Sequence, residues 1–557
     1  MTALEWTPIF RVPAVSAQST LSVPPNFPST IPLYQQAFQN WSGEIVLENA
    51  WTCAPRSAGD VLALANWAFP VGYAIRARGM MHNWSPLVIP VGSSGANLIL
   101  ADTTQYLTAV NVTSGSPSTV TAQTGVTMDA LLQRLENAGL GLTAHPAPGD
   151  ITLGGALAID GHGTAVPAKG ETMIPGHTYG SVSNLILSLT AVVWNAAQGQ
   201  YVLRTFERSD PGIQPLLTHL GRSFVTEVTL QVGANTRLRC QSFVDVPATA
   251  LFGAPGSSSQ TFDAYVEQSG RVETIWFPFT SEPWLKVWTV SPQKPLLSRQ
   301  VSQPYNYVFA DVIPQTLSTL IKAILEGDVS VTPTFGQAEL AIVSAGLLGT
   351  LTADIWGWAK DLLLYVKAST LRVTANGYAV LTNRASMQQV IYDFIGFYES
   401  QVASYRAQGN YPMNGPVEIR VSGLDAPGDV EVAAATSPQL SALRPRPDQP
   451  GWDVAVWFDI LTMPGTPYSD QLYRTIEQWM FSHYTGSYAA VRPEWSKGWA
   501  YTDSGTWSDP TMLSTTIPSA ISAGQQIGDD WNAALALLDA YDPHKVFSNA
   551  FLNSFMP

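Results

Sequence analysis

Basic residues are scarce in this chain: Lys and Arg number 28 against 42 Asp and Glu, which leaves a net charge of -14. Binding to a phosphate backbone relies on clustered Lys and Arg that release counterions, so nucleic acid is excluded as a partner. Charged residues of either sign make up only 13% of the sequence and hydrophobic ones 46%. The surface must therefore be built largely from Ser, Thr, Asn, Gln, Gly and Pro, as in many secreted proteins. The two cysteines, Cys53 and Cys240, have no CxxC spacing, which excludes a thiolate zinc site and a thioredoxin-type pair. Two buried thiols and a disulfide both remain open. The histidines form no HExxH pair or other metal-ligand spacing, and no metal is expected.

Other signatures are missing as well. Without Gly-x-Ser-x-Gly there is no nucleophile elbow for a serine esterase, and no nicotinamide-type GxGxxG follows the first strand. The longest apolar run, Leu340 to Ala353, falls short of the roughly 20 residues a membrane-spanning helix needs, so no transmembrane anchor is expected. The opening "MTALEWTPIFRVPAVSAQST" has Glu5 and prolines but neither a basic stretch nor an apolar core. It does not read as an intact signal peptide, and the chain is expected to be a mature form whose leader is absent.

What is present is organised in two styles. A chain of 557 residues is too long for one core, and residues 45 to 235 alternate short strands with helices. "SAGDVLALANWAFPVGYAI" predicts a helix capped at Ser57 or Asp60, then a strand over Tyr73 to Ala77. "MDALLQRLENAGLGL" predicts a second helix stopped by Gly139. "SNLILSLTAVVWN" and "FVTEVTLQV" read as strands. Beyond residue 236 the elements lengthen and tryptophans multiply. The Pro- and Ser-rich "TSPQLSALRPRPDQPGWD" reads as an exposed loop or linker between strands at Pro416 to Ser422 and Val454 to Ile460.

Two glycine-bearing segments carry the chemistry. "RARGMMHNWSP" places Arg78, Gly79 and His82 in a tight loop directly after a strand, where backbone N–H groups can converge on a pyrophosphate. "PGDITLGGALAIDGHG" packs glycines at 149, 154, 155, 161 and 163, a density suited to a backbone that lies against a ligand. Further on, "PVEIR" puts Glu418 and Arg420 on one face of a strand, because strand side chains repeat with period two. A carboxylate beside a guanidinium can take an alcohol proton while the cation steadies the oxygen. On spacing alone the pair is equally a cross-strand ion pair.

The order "RGMMH", "GDITLGGALA", "GHG", "SFVTEVTLQV" resembles the flavin domain of the vanillyl-alcohol oxidase superfamily. "GHTYGSVSNL", "WFPFT", "WTVSPQKP", "NGPVEIR", "RPEWSKGWA" and "DPHKVFSNAF" resemble its covalent-flavin cholesterol oxidases in particular, from about residue 20 to the C-terminus. The resemblance implies FAD joined through its 8α position to His82, with Arg78, Gly79, Met80, Met81 and Asn83 as the phosphate-side loop. It implies that Gly154, Gly155, Ala156, His162 and Gly163 line the flavin, that Val225 sits near the pyrimidine edge, and that Asn549 is a cofactor-side residue, a plain C-terminal turn being the other reading. Glu418 and Arg420 match the active-site glutamate and arginine. Glu273, among aromatic residues that would desolvate it, matches a mobile gate or second base. Lys497 matches a cation near the flavin's reducible edge. Asp459 stands where the relatives have asparagine.

The fold implied is α+β: a vanillyl-alcohol-oxidase-type FAD domain of two α/β subdomains, plus a substrate domain with a large antiparallel sheet flanked by helices. The expected division is 1–235 for FAD, 236–460 for the steroid, and 461–557 completing the FAD domain and active site. The implied activity is a bacterial, secreted, monomeric cholesterol oxidase acting on cholesterol and related 3β-hydroxysteroids with O2, giving H2O2 and isomerising the 5-en-3-one to the 4-en-3-one. A polyol or sugar-lactone oxidase of the same superfamily is the alternative, and a non-catalytic sterol carrier a further one. The run Leu340 to Ala353 with Trp356 and Trp358 is either a sterol-entry side touching membrane surfaces transiently or buried core.

Overall fold

The computed structural model describes residues 21–307, 315–367 and 370–557. The N-terminal stretch read above for a signal peptide, residues 1–20, lies outside them.

The first sheet contains β1 (Leu33–Gln39), β2 (Val46–Cys53), β3 (Ala74–Arg78) and β4 (Leu98–Asp102) in the order β1-β2-β4-β3. β2 and β3 both run parallel to β4, a geometry that requires a crossover connection. The helix Ala58–Val71 supplies it. Ser57 caps that helix by accepting from the Asp60 N–H, Gly72 ends it at φ 73°, and Val61, Leu64, Ala65 and Ala68 form its buried stripe.

The second sheet holds β5 (Val110–Thr113), β6 (Ser118–Gln123), β7 (Leu140–Gly141), β8 (Ile186–Asn195), β9 (Gln200–Glu207) and β10 (Phe224–Ala234), ordered β5-β6-β10-β8-β9 with β7 also on β10. Two helices, Met128–Asn137 and Leu153–Ala158, lie between β6 and β8 in the chain. The strand expected from Ser183 begins only at Ile186, because Val182–Leu185 forms a 3-10 turn.

The third sheet has nine strands: β11 (Arg237–Phe243), β12 (Arg271–Trp276), β13 (Trp284–Val290), β14 (Arg299–Gln300), β15 (Asp354–Trp358), β16 (Thr374–Thr382), β17 (Val417–Gly423), β18 (Val454–Thr462) and β19 (Ala489–Pro493). Their order is β14-β15-β11-β13-β12-β17-β18-β16-β19, and every pair is antiparallel except β14 with β15. Strand alternation gives the sheet two distinct faces. On one, Phe458 of β18 meets Phe394 of the helix Met387–Ala407 at 4.2 Å between ring centroids. On the other, Trp457 and Asp459 point away from that helix.

One sequence expectation changes in part. The stretch 436–453 is only partly exposed: Leu440, Ser441, Ala442, Leu443 and Arg444 are buried, whereas Pro447, Asp448, Pro450, Gly451 and Asp453 are exposed. Ser441 donates to Asp425 over 2.6 Å, and the Ala442 N–H donates to Asp160, so buried carboxyl groups draw the segment inward. The region from 461 onward touches two sheets. Its first part, the helix Ser469–His483 and β19, joins the nine-stranded sheet. Its last part returns to the first sheet, where Ile75 N donates to Val546 O over 2.7 Å.

Candidate active site

A deep cleft runs from the loop after β3, past the helix Leu153–Ala158, to the face of the nine-stranded sheet carrying Asp459. The loop is held on both sides. Arg78 donates to Gln36 over 2.7 Å, and its carbonyl accepts from Thr103. Trp84 N and Ser85 N both donate to Ser496 O. Met81 takes a positive φ of 58°. Gly79 lies against Thr152, and any Cβ at 79 would collide with that side chain, so the backbone lines the cleft where a side chain would close it.

His82 lies flat on Trp41, with centroids 3.7 Å apart and planes 21° apart. Burial, then the charges of Lys497 and Arg372, lowers its pKa to about 3, so the imidazole is neutral at physiological pH. Its Nδ1 is 4.0 Å from Asp150 Oδ1.

Opposite the loop, Gly154 N donates to Thr124 O over 2.8 Å, and a Cβ at 154 would come within 2.8 Å of the Thr124 Cβ. Gly155 N donates to the Thr152 hydroxyl. His162 stacks on Trp457 at 3.6 Å and 9°, and burial, with Arg420 next, lowers its pKa to about 3. Gly154, Gly155, Ala156, Gly161, His162 and Val225 all line the cleft. Gly163 stands behind it, where a Cβ would meet the His145 backbone at 2.6 Å. Asn549 also stands outside: its amide donates to the carbonyls of Pro86, Leu87 and Val88, bracing the loop from behind.

The charged group lies on the sheet. Register pairs Glu418 with Asp459 and Asp459 with Gly377, while Glu273 pairs with Arg420 and Arg420 with Trp457. Glu273, Glu418, Arg420, Trp457 and Asp459 thus share one face. Arg420 Nη1 lies 3.7 Å from Glu273 and 3.6 Å from Glu418, and Nη2 is hydrogen-bonded to Asp459. Burial opposes its charge, but Asp459, Glu418, Glu494 and Glu273 together raise its pKa well above the usual value. Lys497 Nζ lies 3.7 Å from Asp459 and 3.9 Å from the Trp84 ring centroid.

The two glutamates differ in access. The Glu418 side chain is 21% exposed, into the cleft, and that of Glu273 only 2%. Burial raises the Glu418 pKa; Arg420 opposes this and Glu273 reinforces it. Glu273 has an aromatic neighbour, as the sequence suggests, and is also tied to charged and polar groups. It accepts from the Tyr365 hydroxyl over 2.6 Å and pairs with Lys286 at 3.3 Å. The rings surround Lys286, whose Nζ lies 3.5 Å from the Tyr365 centroid and 4.6 Å from that of Trp284. Glu273 and Asp459 do not line the cleft; they hold Arg420, which does.

Comparisons with known proteins match two regions of the chain. Residues 50–196 match the FAD binding domain model, and residues 237–557 match the model of the cholesterol oxidase substrate-binding domain. The chain belongs to the cholesterol oxidase family. Among solved structures of the family, a "Solvent-stable cholesterol oxidase" is 58% identical, with a TM-score of 0.95 over 96% of this chain and 100% of that one. Cholesterol oxidase from Brevibacterium sterolicum is 47% identical, with a TM-score of 0.95 over 97% and 100%. A chitooligosaccharide oxidase, 12% identical with a TM-score of 0.54 over 93% and 96%, shares the fold alone. No curated protein matches. The family fold is the vanillyl-alcohol-oxidase type, and the chain carries its FAD domain. The glycine backbones that would clash on gaining a Cβ, and Ser223 Oγ, buried on the cleft wall with no hydrogen-bond partner among the described residues, fit a bound dinucleotide.

Sequence reasoning passed over several residues here. Trp41 and Asp150 flank His82 but come from separate segments. Lys286 had a signal, as the one charge in the apolar strand "WLKVWTV". Glu494, three residues before Lys497, lines the cleft beside it. The free thiols Cys53 and Cys240 are both buried, and no disulfide joins them. Among the described residues no helix is long and apolar enough to cross a membrane, and no His, Cys, Asp and Glu cluster could hold a metal.

Proposed function

We propose that this chain oxidises cholesterol and related 3β-hydroxysteroids with O2 and isomerises the product to the 4-en-3-one. The observation that carries the reading is the single sheet face presenting Glu418 and Arg420 to a cleft that ends at His82. FAD, when bound, accepts hydride from the alcohol carbon and passes the electrons to O2, yielding H2O2. Glu418, the accessible carboxylate with a raised pKa, takes the hydroxyl proton. Arg420, fixed by Asp459 and Glu273, steadies charge on the substrate oxygen. The proton Glu418 has taken is given up to the reduced oxygen, completing H2O2, and the ionised Glu418 then moves the C4 proton toward C6, with Glu273 sealed behind Arg420 as the anchor or second carboxylate.

His82 is the proposed 8α attachment point. Its neutral imidazole, held in plane by Trp41, presents a free lone pair. Residues up to 235 with the C-terminal helices hold the cofactor, and the nine-stranded sheet holds the substrate. Val366, Leu371, Val373 and Leu461 line the cleft along with Glu418; this apolar lining favours a sterol over a polyol, whose hydroxyls need polar partners. The protein acts as a secreted monomer that touches membrane surfaces transiently. Leu348 and Leu351, 74% and 77% exposed, support that contact. Anaerobic mixing with cholesterol tests the core reading: the flavin bleaches with sterol and stays oxidised with sugar alcohols, and the reverse result overturns it.

A further inference from the structure

Glu494 has no part in the steps above, yet it is buried against Asp459. It follows β19, and its N–H donates to Gly377 O over 2.9 Å. Gly377 lies beneath both carboxyl groups: a Cβ there would come within 2.7 Å of Asp459 Oδ1 and 2.9 Å of Glu494 Oε2. Both oxygens are buried, and neither receives an N–H or hydroxyl donor from the described residues. Held over the same glycine, the two carboxyl groups face each other. Two ionised carboxylates buried side by side repel each other, and a proton on one of them removes the repulsion.

The surroundings decide which. Burial disfavours charge on both. At Asp459 the charges of Lys497 and Arg420, with Glu494 and His162, overcome burial and lower the pKa. At Glu494 burial and the charge of Asp459 raise it well above the usual value, against Lys497 and Arg420. The remaining neighbours are Glu418 and Glu273 on the far side of Arg420 and Ser496, whose hydroxyl donates to Glu494 Oε1 over 3.1 Å.

We propose that Asp459 and Glu494 share one proton, carried by Glu494 and donated to Asp459 Oδ1. The pair is a positioning element. It leaves Asp459 Oδ2 as one anionic oxygen anchoring both Arg420 and Lys497. It also balances the site. With the proton in place, Glu273, Glu418 and Asp459 face Lys286, Arg420 and Lys497. Without it a fourth buried negative charge has no partner.

The catalytic consequence rests on the oxidase reading; the proton itself does not. Infrared difference spectra of the flavin-loaded protein at neutral pH, wild type minus Glu494→Gln, should show a carboxylic-acid carbonyl stretch that shifts in D2O. Other buried acids, such as Asp160 and Asp425, cancel in the difference. Glu494→Gln keeps an N–H donor toward Asp459 and cannot ionise. A raised pKa means the proton is present at low pH and lost as pH rises, so wild-type kcat/KM should fall on the alkaline side and this limb should be absent from the variant. Asp459→Asn gives a second route: removing the neighbouring charge should move or abolish the band. An acid band unchanged in both variants, or the same alkaline limb in Glu494→Gln, overturns the shared proton. A protein that shows the band, loses it on substitution and still oxidises no sterol keeps the proton and overturns the oxidase reading instead.

Discussion

Trp41 lies beneath His82 with ring centroids 3.7 Å apart and planes 21° apart. The stack fixes the imidazole plane, and the burial it shares lowers the histidine pKa to about 3. A ring that is neutral and immobile is suited to form one bond in one direction. His82→Ala should therefore bind flavin that acid precipitation releases, whereas wild type keeps its yellow colour in the pellet. Flavin retained in the acid pellet of the variant would move the attachment point elsewhere. Trp41→Ala should leave the attachment residue in place but slow flavin incorporation into freshly expressed protein, read as the ratio of covalent flavin to protein.

Arg420→Ala removes a cation that three carboxylates hold in place and that is proposed to steady the substrate oxygen. Loss of one such preorganised donor typically costs on the order of 3 kcal/mol, about a hundredfold in rate. Anaerobic stopped-flow reduction by sterol should slow by that factor with flavin content unchanged. Glu418→Gln should slow both reduction and conversion of added 5-en-3-one. Wild-type reduction rates in both variants would return the pair to a structural role.

Acid should weaken the fold through its buried histidines. His177 is held between the Thr143 hydroxyl, 2.6 Å away, and Ala234 O, and burial lowers its pKa from 6.5 to about 4. The unfolded chain takes up this proton first, so the stability from the neutral ring is complete above pH 6.5 and drains as pH falls toward 4. At about 1.4 kcal/mol per pH unit the full gap is worth roughly 3 kcal/mol. The melting temperature of His177→Gln should fall less steeply than that of wild type between these limits; parallel curves would assign the acid sensitivity to other groups.

The apolar run Leu340 to Ala353 divides between two roles. Leu340, Val343 and Leu347 of the helix Thr332–Thr350 are buried, whereas Leu348 and Leu351 face solvent. Leu348→Glu and Leu351→Glu should therefore lower activity on vesicle-borne sterol several-fold and leave activity on detergent-dissolved sterol near wild type. Equal losses on both substrates would remove the membrane-contact reading.

Much of this protein was legible in its residues. The loop from Arg78 to Asn83, the glycines at 154 and 155, and Glu418 with Arg420 two positions apart on a strand are local patterns, in which neighbours in sequence are neighbours in space. Strand period alone placed Glu418 and Arg420 on one face, and the register of β17 agrees. Capping at Ser57 was equally local. What the tertiary structure decided is everything that depends on strand order. Nothing in the sequence says that β17 lies between β12 and β18, and that order alone brings Glu273, 147 residues away, against Arg420. Burial of 440–444 depended on Asp160 and Asp425, carboxyl groups remote in the chain that no composition rule associates with a Pro-rich segment. The aromatic residues near Glu273 were visible as composition, but only the sheet could show that they enclose Lys286. Asp459 was singled out by the resemblance, which led one to expect asparagine there. Its meaning required Glu494 to arrive from the next edge of the sheet, because a proton shared between two carboxyl groups is a property of their distance and burial, and neither is encoded locally.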